Sequence, residues 1–389
     1  MDFNRIYDRR NTGSIKWDWD GMKVRSQRDD LIPLWVADMD FMSPISVVEA
    51  LTKRAEHGIF GYTFFDESYY NAVIRWMAER HRWNIEKEWI VPTGGVVPSI
   101  NFAIRTFTKE GDGVIIQQPV YSPFISAITR NNRKLVNSPL VLENGRYGID
   151  FEDFEKKIVE NQVKLFILCS PHNPVGRVWT KEELQRIGDI CVKHQVIIVS
   201  DEIHHDIVYP GHWHYPIASL GDEYADICIT CTSPGKTFNL AALQIANIII
   251  KNPDMRKKFK TFMESLALGE PSLMGNLACK TAYETGREWL DSLIVYLYEN
   301  KEYVVSYIHQ NIPNVRVINP EGTYLLWTDF RGTGLSDDEV YEILLKKAGV
   351  HVNKGSGFGA EGSGFIRMNI ASPRKILEEA LDRIEKVFR

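Results

Sequence analysis

Short apolar runs rich in branched residues recur through the middle of the chain, at residues 114–118, 164–169, 196–200, 227–231 and 245–250. Because each run is continuously apolar rather than alternating, it predicts a strand covered on both faces. Between two of them, residues 181–194 place Leu184, Ile187 and Cys191 on one helical face. Thr180 and Glu183 sit at the N-cap and N3 positions of that helix, the spacing of a capping box. Strands alternating with amphipathic helices predict an α/β fold: a large domain with a mostly parallel sheet between helices.

The flanks have a different rhythm. Ser43 and Pro44 predict the cap and first position of a helix that Gly58 ends. After residue 287 a long helical pattern leads into a strand-like stretch at 315–330. A helix near 336–348, a strand at 364–370 and a last helix from Pro373 follow. This pattern assigns residues 50–287 to the large domain and residues 1–49 with 288–389 to a smaller α+β domain. The sequence shows no internal repeat and no low-complexity linker.

Composition narrows the class of function. A chain of 389 residues exceeds one ordinary core, which agrees with two domains. The net charge of −5 offers no basic footprint for nucleic acid. Neither a basic amphipathic stretch nor a bilayer-length apolar run points to a membrane. The charged first ten residues lack the apolar core of a signal peptide, so a cytoplasmic protein is expected. Five scattered cysteines do not make a disulfide framework. Cys228 and Cys231 lie three apart on an expected strand, so their side chains point to opposite faces and cannot share a metal.

Four segments carry candidate chemistry. Lys236, in Ser233-Pro-Gly-Lys-Thr-Phe-Asn239, follows a strand and small residues that would desolvate its amine and make it nucleophilic. Asp201 ends a strongly apolar strand, where open α/β sheets place ligands, and could pair with a protonated pyridine nitrogen. Ile203 shares its strand face and could pack under the same ring. Gly94 and Gly95 precede a helix-like run beginning near Val96, whose exposed N–H groups and dipole favour a phosphate. Asn173, between Pro171 and Pro174, sits in a rigid loop suited to a fixed hydrogen bond. Taken singly, a strand-ending Asp that caps a loop, or an ordinary glycine turn, reads these residues equally well.

Together, Asn173-Pro174-x-Gly176, Ser200-Asp201-Glu202 and Ser233-x-x-Lys236 resemble the fold-type I, aspartate aminotransferase-like enzymes. Thr12-x-Ser14-x-Lys16-Trp17-Asp18, the run from Leu34 to Phe41, Lys236 to Leu240 and Arg367-Met-Asn369-Ile-Ala371 resemble the cystathionine β-lyase subgroup. The resemblance covers nearly the whole chain. It implies pyridoxal 5'-phosphate carried as a Schiff base on Lys236, with Asp201 on the ring nitrogen, Asn173 on the ring hydroxyl and Tyr121 stacked on the ring. It further implies that Gly94, Gly95, Val96 and Ser233 hold the phosphate and that Arg367 clamps an amino-acid carboxylate. Tyr62 would reach the phosphate of a neighbouring subunit, making a homodimer with shared sites. His204 stands where many aminotransferases carry a tyrosine, Gly235 where a serine is common and Gln244 where a phosphate-binding arginine is common.

The expected activity is α,β-elimination of cystathionine- or cysteine-type substrates to pyruvate, ammonia and a thiol. An aminotransferase on the same fold, or a non-catalytic protein-binding role, are the alternatives. Two further patterns read otherwise than they look. Gly355-x-Gly357-x-x-Ala360 fits a dinucleotide fingerprint but runs into a strand instead of opening a helix, so it reads as a flexible loop near the substrate mouth. His204, His205, His212 and His214 lie around Pro210 and Trp213 without a helical pair or nearby cysteine. They read as solvated or pocket-lining side chains rather than a metal site. Trp17, Trp19, Trp35 and Trp76 read as packing residues, with Trp35 also at the site entrance.

Overall fold

In the computed structural model, which describes residues 1–389 except Trp19 and Glu270, every apolar run of the middle section becomes a strand. Gly113–Ile116, Leu165–Cys169, Ile197–Asp201, Cys228–Thr232 and Ala246–Ile249 lie within two residues of their expected limits. The expectation for Trp19 falls outside the described residues. The five strands join Ile90–Thr93 and Lys134–Asn137 in a seven-stranded sheet. Its order is Ile90–Thr93, Ala246–Ile249, Cys228–Thr232, Ile197–Asp201, Leu165–Cys169, Gly113–Ile116, Lys134–Asn137. Ala246–Ile249 runs antiparallel to both of its neighbours, and the remaining pairs are parallel.

Both faces of the sheet are covered, as continuous apolarity requires. Leu165, Ile167 and Cys169 enter one core while Phe166 and Leu168 enter the other, with the period of two that a strand imposes. The helices Val96–Phe107, Ser122–Arg130 and Pro253–Ser265 bury Ile100, Phe124 and Phe259 on the first face. Lys181–Lys193 buries Leu184, Ile187 and Cys191 on the second, and its Thr180–Glu183 capping box is formed. Cys228 and Cys231 fall in different cores, and all five cysteines are free and buried.

A second, four-stranded antiparallel sheet orders Arg316–Ile318, Leu325–Asp329, Phe365–Asn369 and Asn353–Lys354. The expected single stretch at 315–330 is therefore a hairpin. Pro320 and Gly322 break it, and a side chain at Gly322 would meet the carbonyl of Ile207 at 2.8 Å. Arg287–Asn311 and Arg374–Phe388 are its long helices. The helix capped by Ser336 runs from Asp337–Glu342 into a wider π turn, Ile343–Ala348. Ser43 does not cap its helix: Ile45–Glu56 starts one residue later with Pro44 at the N-cap, and the Ser43 hydroxyl instead donates to the Asn239 carbonyl. That helix also straddles the border drawn at residue 49. Among the described residues no helix is long and apolar enough to cross a membrane.

The pairing register decides where chemistry can occur. Cys169 lies beside Asp201, Asp201 beside Cys231, Thr232 beside Asn247 and Ala246 beside Thr93. The segments that begin at Gly94, Ser170, Glu202 and Ser233 therefore all leave the sheet at one edge. That edge is where open α/β sheets bind ligands.

Candidate active site

A cavity of about 600 Å³ opens at this edge. Gly94, Gly95, Val96, Tyr121, Asn173, Asp201, Ile203, His204, Ser233, Lys236 and Arg367 all line it, so eleven expected site residues from six separate segments meet in one place. Tyr62 does not. It is fully exposed, at 101%, on the stretch between Ile45–Glu56 and Glu67–His81.

Ser233 builds the turn that carries Lys236. Its Oγ accepts from the Gly235 N–H at 3.0 Å, capping Pro234–Thr237, and donates to the Ile245 carbonyl at 2.7 Å. The one hydroxyl proton is thus engaged with the backbone, which leaves the phosphate role expected of Ser233 to a rotated hydroxyl. Lys236 points into the cavity and donates to the Ala37 carbonyl. Burial, with Arg367 nearby, lowers its amine to about 8, against the pull of Asp38 and Asp201. Asp201, 4% exposed, accepts from the Ile203 N–H at 3.1 Å. Burial pushes its carboxyl up to about 7, because that hydrogen bond and the more distant Lys236 offset little of the desolvation.

Arg367 is buried yet held by neutral groups: Asn173 Oδ1 at 3.1 Å, Asn353 Oδ1 at 2.6 Å and the Trp35 carbonyl at 2.9 Å. Its Nε has no hydrogen-bond partner, and burial lowers the guanidinium to about 10. A desolvated cation with an open donor is a receptor for a carboxylate. Across the cavity, Val96–Phe107 presents its N-terminus, where first-turn N–H groups lack helical partners. Gly95, at φ +147°, adopts a backbone that favours glycine, and a side chain added at Gly94 would meet nothing within 4 Å. The cradle is open enough for a phosphate group.

Aromatic side chains close the cavity: Trp35, Tyr121 and Phe358. The N-terminal motif residues hold the Trp35 wall. Asp40 accepts from Lys16 Nζ at 2.7 Å and Trp17 Nε1 at 2.9 Å, and Arg9 bridges Asp38 and Asp40. Asn369, two residues from Arg367 and on the same strand face, donates to the carbonyls of Val36 and Asp38. The family-like motifs therefore act by fixing the cavity's rim.

Sequence reasoning missed Asn353 and Tyr324, whose hydroxyl donates to the Ala37 carbonyl at 3.0 Å. Neither sits in a recognisable motif. The glycine-rich stretch does line the cavity through Phe358, but it is not a flexible loop. Gly355–Phe358 and Ala360–Gly362 are tight turns so close that a side chain at Gly355 would meet the Gly362 carbonyl at 2.1 Å. The histidines also divide. His204 lines the cavity, whereas His205, His212 and His214 line a different cleft, His212 exposed and the other two buried, so all four are pocket-lining and only His212 is solvated.

Comparison with known proteins decides the family. Residues 29–384 match the family "Aminotransferase class I and II". The chain belongs to that family. Within it the chain falls in the cystathionine β-lyase subgroup of pyridoxal phosphate enzymes. It is 42% identical over 385 residues to cystathionine β-lyase PatB of Bacillus subtilis, covering 99% of each chain. Among solved structures, cystalysin of Treponema denticola, which contains pyridoxal 5'-phosphate, matches with a TM-score of 0.96 and 41% identity, covering 99% of this chain and 98% of that one. A pyridoxal phosphate-bound C–S lyase of Staphylococcus hominis, complexed with L-cycloserine, matches with a TM-score of 0.93 and 34% identity, covering 100% and 98%. The class I and II enzymes are built around pyridoxal phosphate, and the cavity has the donors that cofactor requires: an amine of lowered basicity, a buried acid and a helix N-terminus.

Proposed function

We propose that this protein is a pyridoxal phosphate-dependent carbon–sulfur β-lyase acting on amino acids with sulfur at Cβ, such as cystathionine or cysteine. Gly94, Gly95 and Val96 would hold the cofactor's phosphate, Asp201 its ring nitrogen and Asn173 its ring hydroxyl. Tyr121 and Ile203 would pack against the ring, with His204 beside it. Bound there, the cofactor supplies an electron sink for charge released at Cα.

The chain's own side chains do the rest. Arg367 binds the substrate carboxylate in two-pronged fashion and so fixes which Cα bond faces the reacting centre. Lys236 Nζ, its basicity lowered to about 8 by burial, takes the Cα proton as general base. With the cofactor bound, Asp201 would hold its ring nitrogen, and a positive charge there would offset the desolvation that raises the carboxyl to about 7. Trp35 and Phe358 limit water at the reacting carbon. The Cβ–S bond breaks, the thiol leaves with a proton, and one water is consumed to release pyruvate and ammonium.

The observation that carries this reading is Arg367, buried among neutral groups in the same cavity as Lys236. The identity to PatB supports elimination over transamination. The test is to mix holoenzyme with L-cystathionine in the absence of any 2-oxo acid. Pyruvate and thiol should form in equal amounts. Absence of pyruvate, with amino transfer once a 2-oxo acid is added, contradicts the lyase reading.

A homodimer completes the site in this proposal. Ile59, Phe60, Tyr62 and Phe64 are 66%, 63%, 101% and 75% exposed along one short stretch, an apolar run that a second copy would cover. Tyr62 of each subunit would then reach the phosphate end of its partner's cavity.

A further inference from the structure

Beyond the strand that delivers Asp201 to the cavity, the chain turns through residues 202–206, and His205 and Asp206 face a second cleft of about 360 Å³. Here His81, from the end of Glu67–His81, meets the histidine-rich segment. His81 Nε2 lies 2.8 Å from Asp206 Oδ1, and His205 Nε2 lies 3.0 Å from Asp206 Oδ2. His214 Nε2 lies 2.9 Å from Glu202 Oε2. One ligand-type atom from each of His81, His205 and Asp206 falls within 4.8 Å of the others, and the same holds for Glu202, His205 and His214. All five side chains are buried, between 0% and 5% exposed.

Two features separate this cluster from an ordinary buried hydrogen-bond network. Among the described residues, Nδ1 of His205, 1% exposed and lining the cleft, has no hydrogen-bond partner, its Nε2 meets only the Asp206 carboxylate, and Nδ1 of His214 is also unpartnered. Buried imidazole nitrogens are seldom left so, since each lost partner is costly. The carboxylates, by contrast, are oriented from behind. Asp206 accepts from Trp76 Nε1 at 3.1 Å and Thr237 Oγ1 at 2.7 Å, and Glu202 accepts from Ser200 Oγ at 2.8 Å. Outer donors of this kind fix ligating carboxylates in metal sites.

We propose that His81, His205 and Asp206 bind one divalent transition-metal ion of the zinc class at the floor of this cleft, with His214 and Glu202 adjoining through His205. Two imidazoles and one carboxylate with an open position suit such an ion. Ligands of a tetrahedral zinc stand about 3.4 Å apart, so modest side-chain movement from the observed spacing suffices. Because Thr237 follows Lys236 and bonds Asp206, the ion would brace the turn that carries the active-site amine.

Tag-free holoenzyme, stripped with chelator and titrated with Zn²⁺ and Co²⁺, tests this. Expected are one ion per chain, visible cobalt absorption at wavelengths beyond the yellow cofactor band, and a higher unfolding temperature with zinc. His205→Gln and His81→Gln should each weaken binding by about 100-fold or more. X-ray absorption of the cobalt wild type should show imidazole and oxygen ligands and no sulfur, a readout that survives if the variants fail to fold. Retention below about a tenth of an equivalent, sulfur ligation, or affinity unchanged in both variants overturns the proposal.

Discussion

Arg177 and Arg367 are both buried arginines, 2% and 5% exposed, yet their surroundings are opposite. Arg177 is saturated by carboxylates: its Nε meets Glu321 at 2.9 Å, its Nη2 meets Glu183 at 2.7 Å, and it also donates to the Tyr147 carbonyl. Arg367 has only amide and carbonyl oxygens as hydrogen-bond acceptors and one idle donor. Burying a charge without a counter-charge is costly, so the difference separates cations that hold the fold from one that waits for an anion. Lys16 and Lys236 repeat the contrast. Lys16 is paired to Asp40 at 2.7 Å, whereas Lys236 faces the cavity with a lowered pKa.

The sharpest way to break this contrast is Lys236→Ala. Elimination should fall about 10⁴-fold, measured as kcat on L-cystathionine, with unfolding little changed. Residual activity near a tenth of wild type would show that another amine does the work.

Asp201→Asn probes the same side. The folded, cofactor-free pKa of about 7 exceeds the ordinary 3.8, so the folded protein holds this proton more tightly than the unfolded chain. Stability from this group is present below about pH 4 and is lost as pH rises to about 7. In cofactor-free protein the variant should remove that slope and gain roughly 4 kcal/mol at pH 8, read by denaturant titration. The holoenzyme should show the opposite, with weaker cofactor retention. An unchanged pH profile would mean that Asp201 is not an unpaired buried acid.

A paired substitution divides the arginines. Arg177→Met should destabilise by about 3 kcal/mol because it strands Glu321 and Glu183. Arg367→Met should leave stability within about 1 kcal/mol but lower kcat/KM by about 10- to 100-fold. If the two variants behaved alike, burial and not pairing would govern both. The smallest effect is expected from Gly95→Ala, where φ +147° disfavours a side chain. Strain of about 1–2 kcal/mol should raise the cofactor's Kd about tenfold, measured by fluorescence quenching, with little effect on saturated kcat.

What was legible in the sequence follows from how far a residue's role is local. The strands were readable because both of their faces are buried, which writes an unbroken apolar run such as 165–169 into the chain. Lys236, Asp201 and Asn173 were readable because each sits at the end of such a run. The reversal of Ala246–Ile249 left no trace, since antiparallel and parallel buried strands have the same composition. Tyr324 acts through the Ala37 carbonyl, far away in sequence, and Asn353 through Arg367 on the neighbouring strand, where only the pairing register brings the two together, and no local spacing records either contact. His81 was invisible for the same reason: its partner Asp206 lies 125 residues away.

Sodium borohydride reduction of the holoenzyme, followed by peptide mapping, tests the central claim most directly. The account predicts one pyridoxyl group per chain, on the peptide bearing Lys236, with Lys16 and every other lysine unmodified. A pyridoxyl group on a different lysine, or none despite bound yellow cofactor, would contradict it.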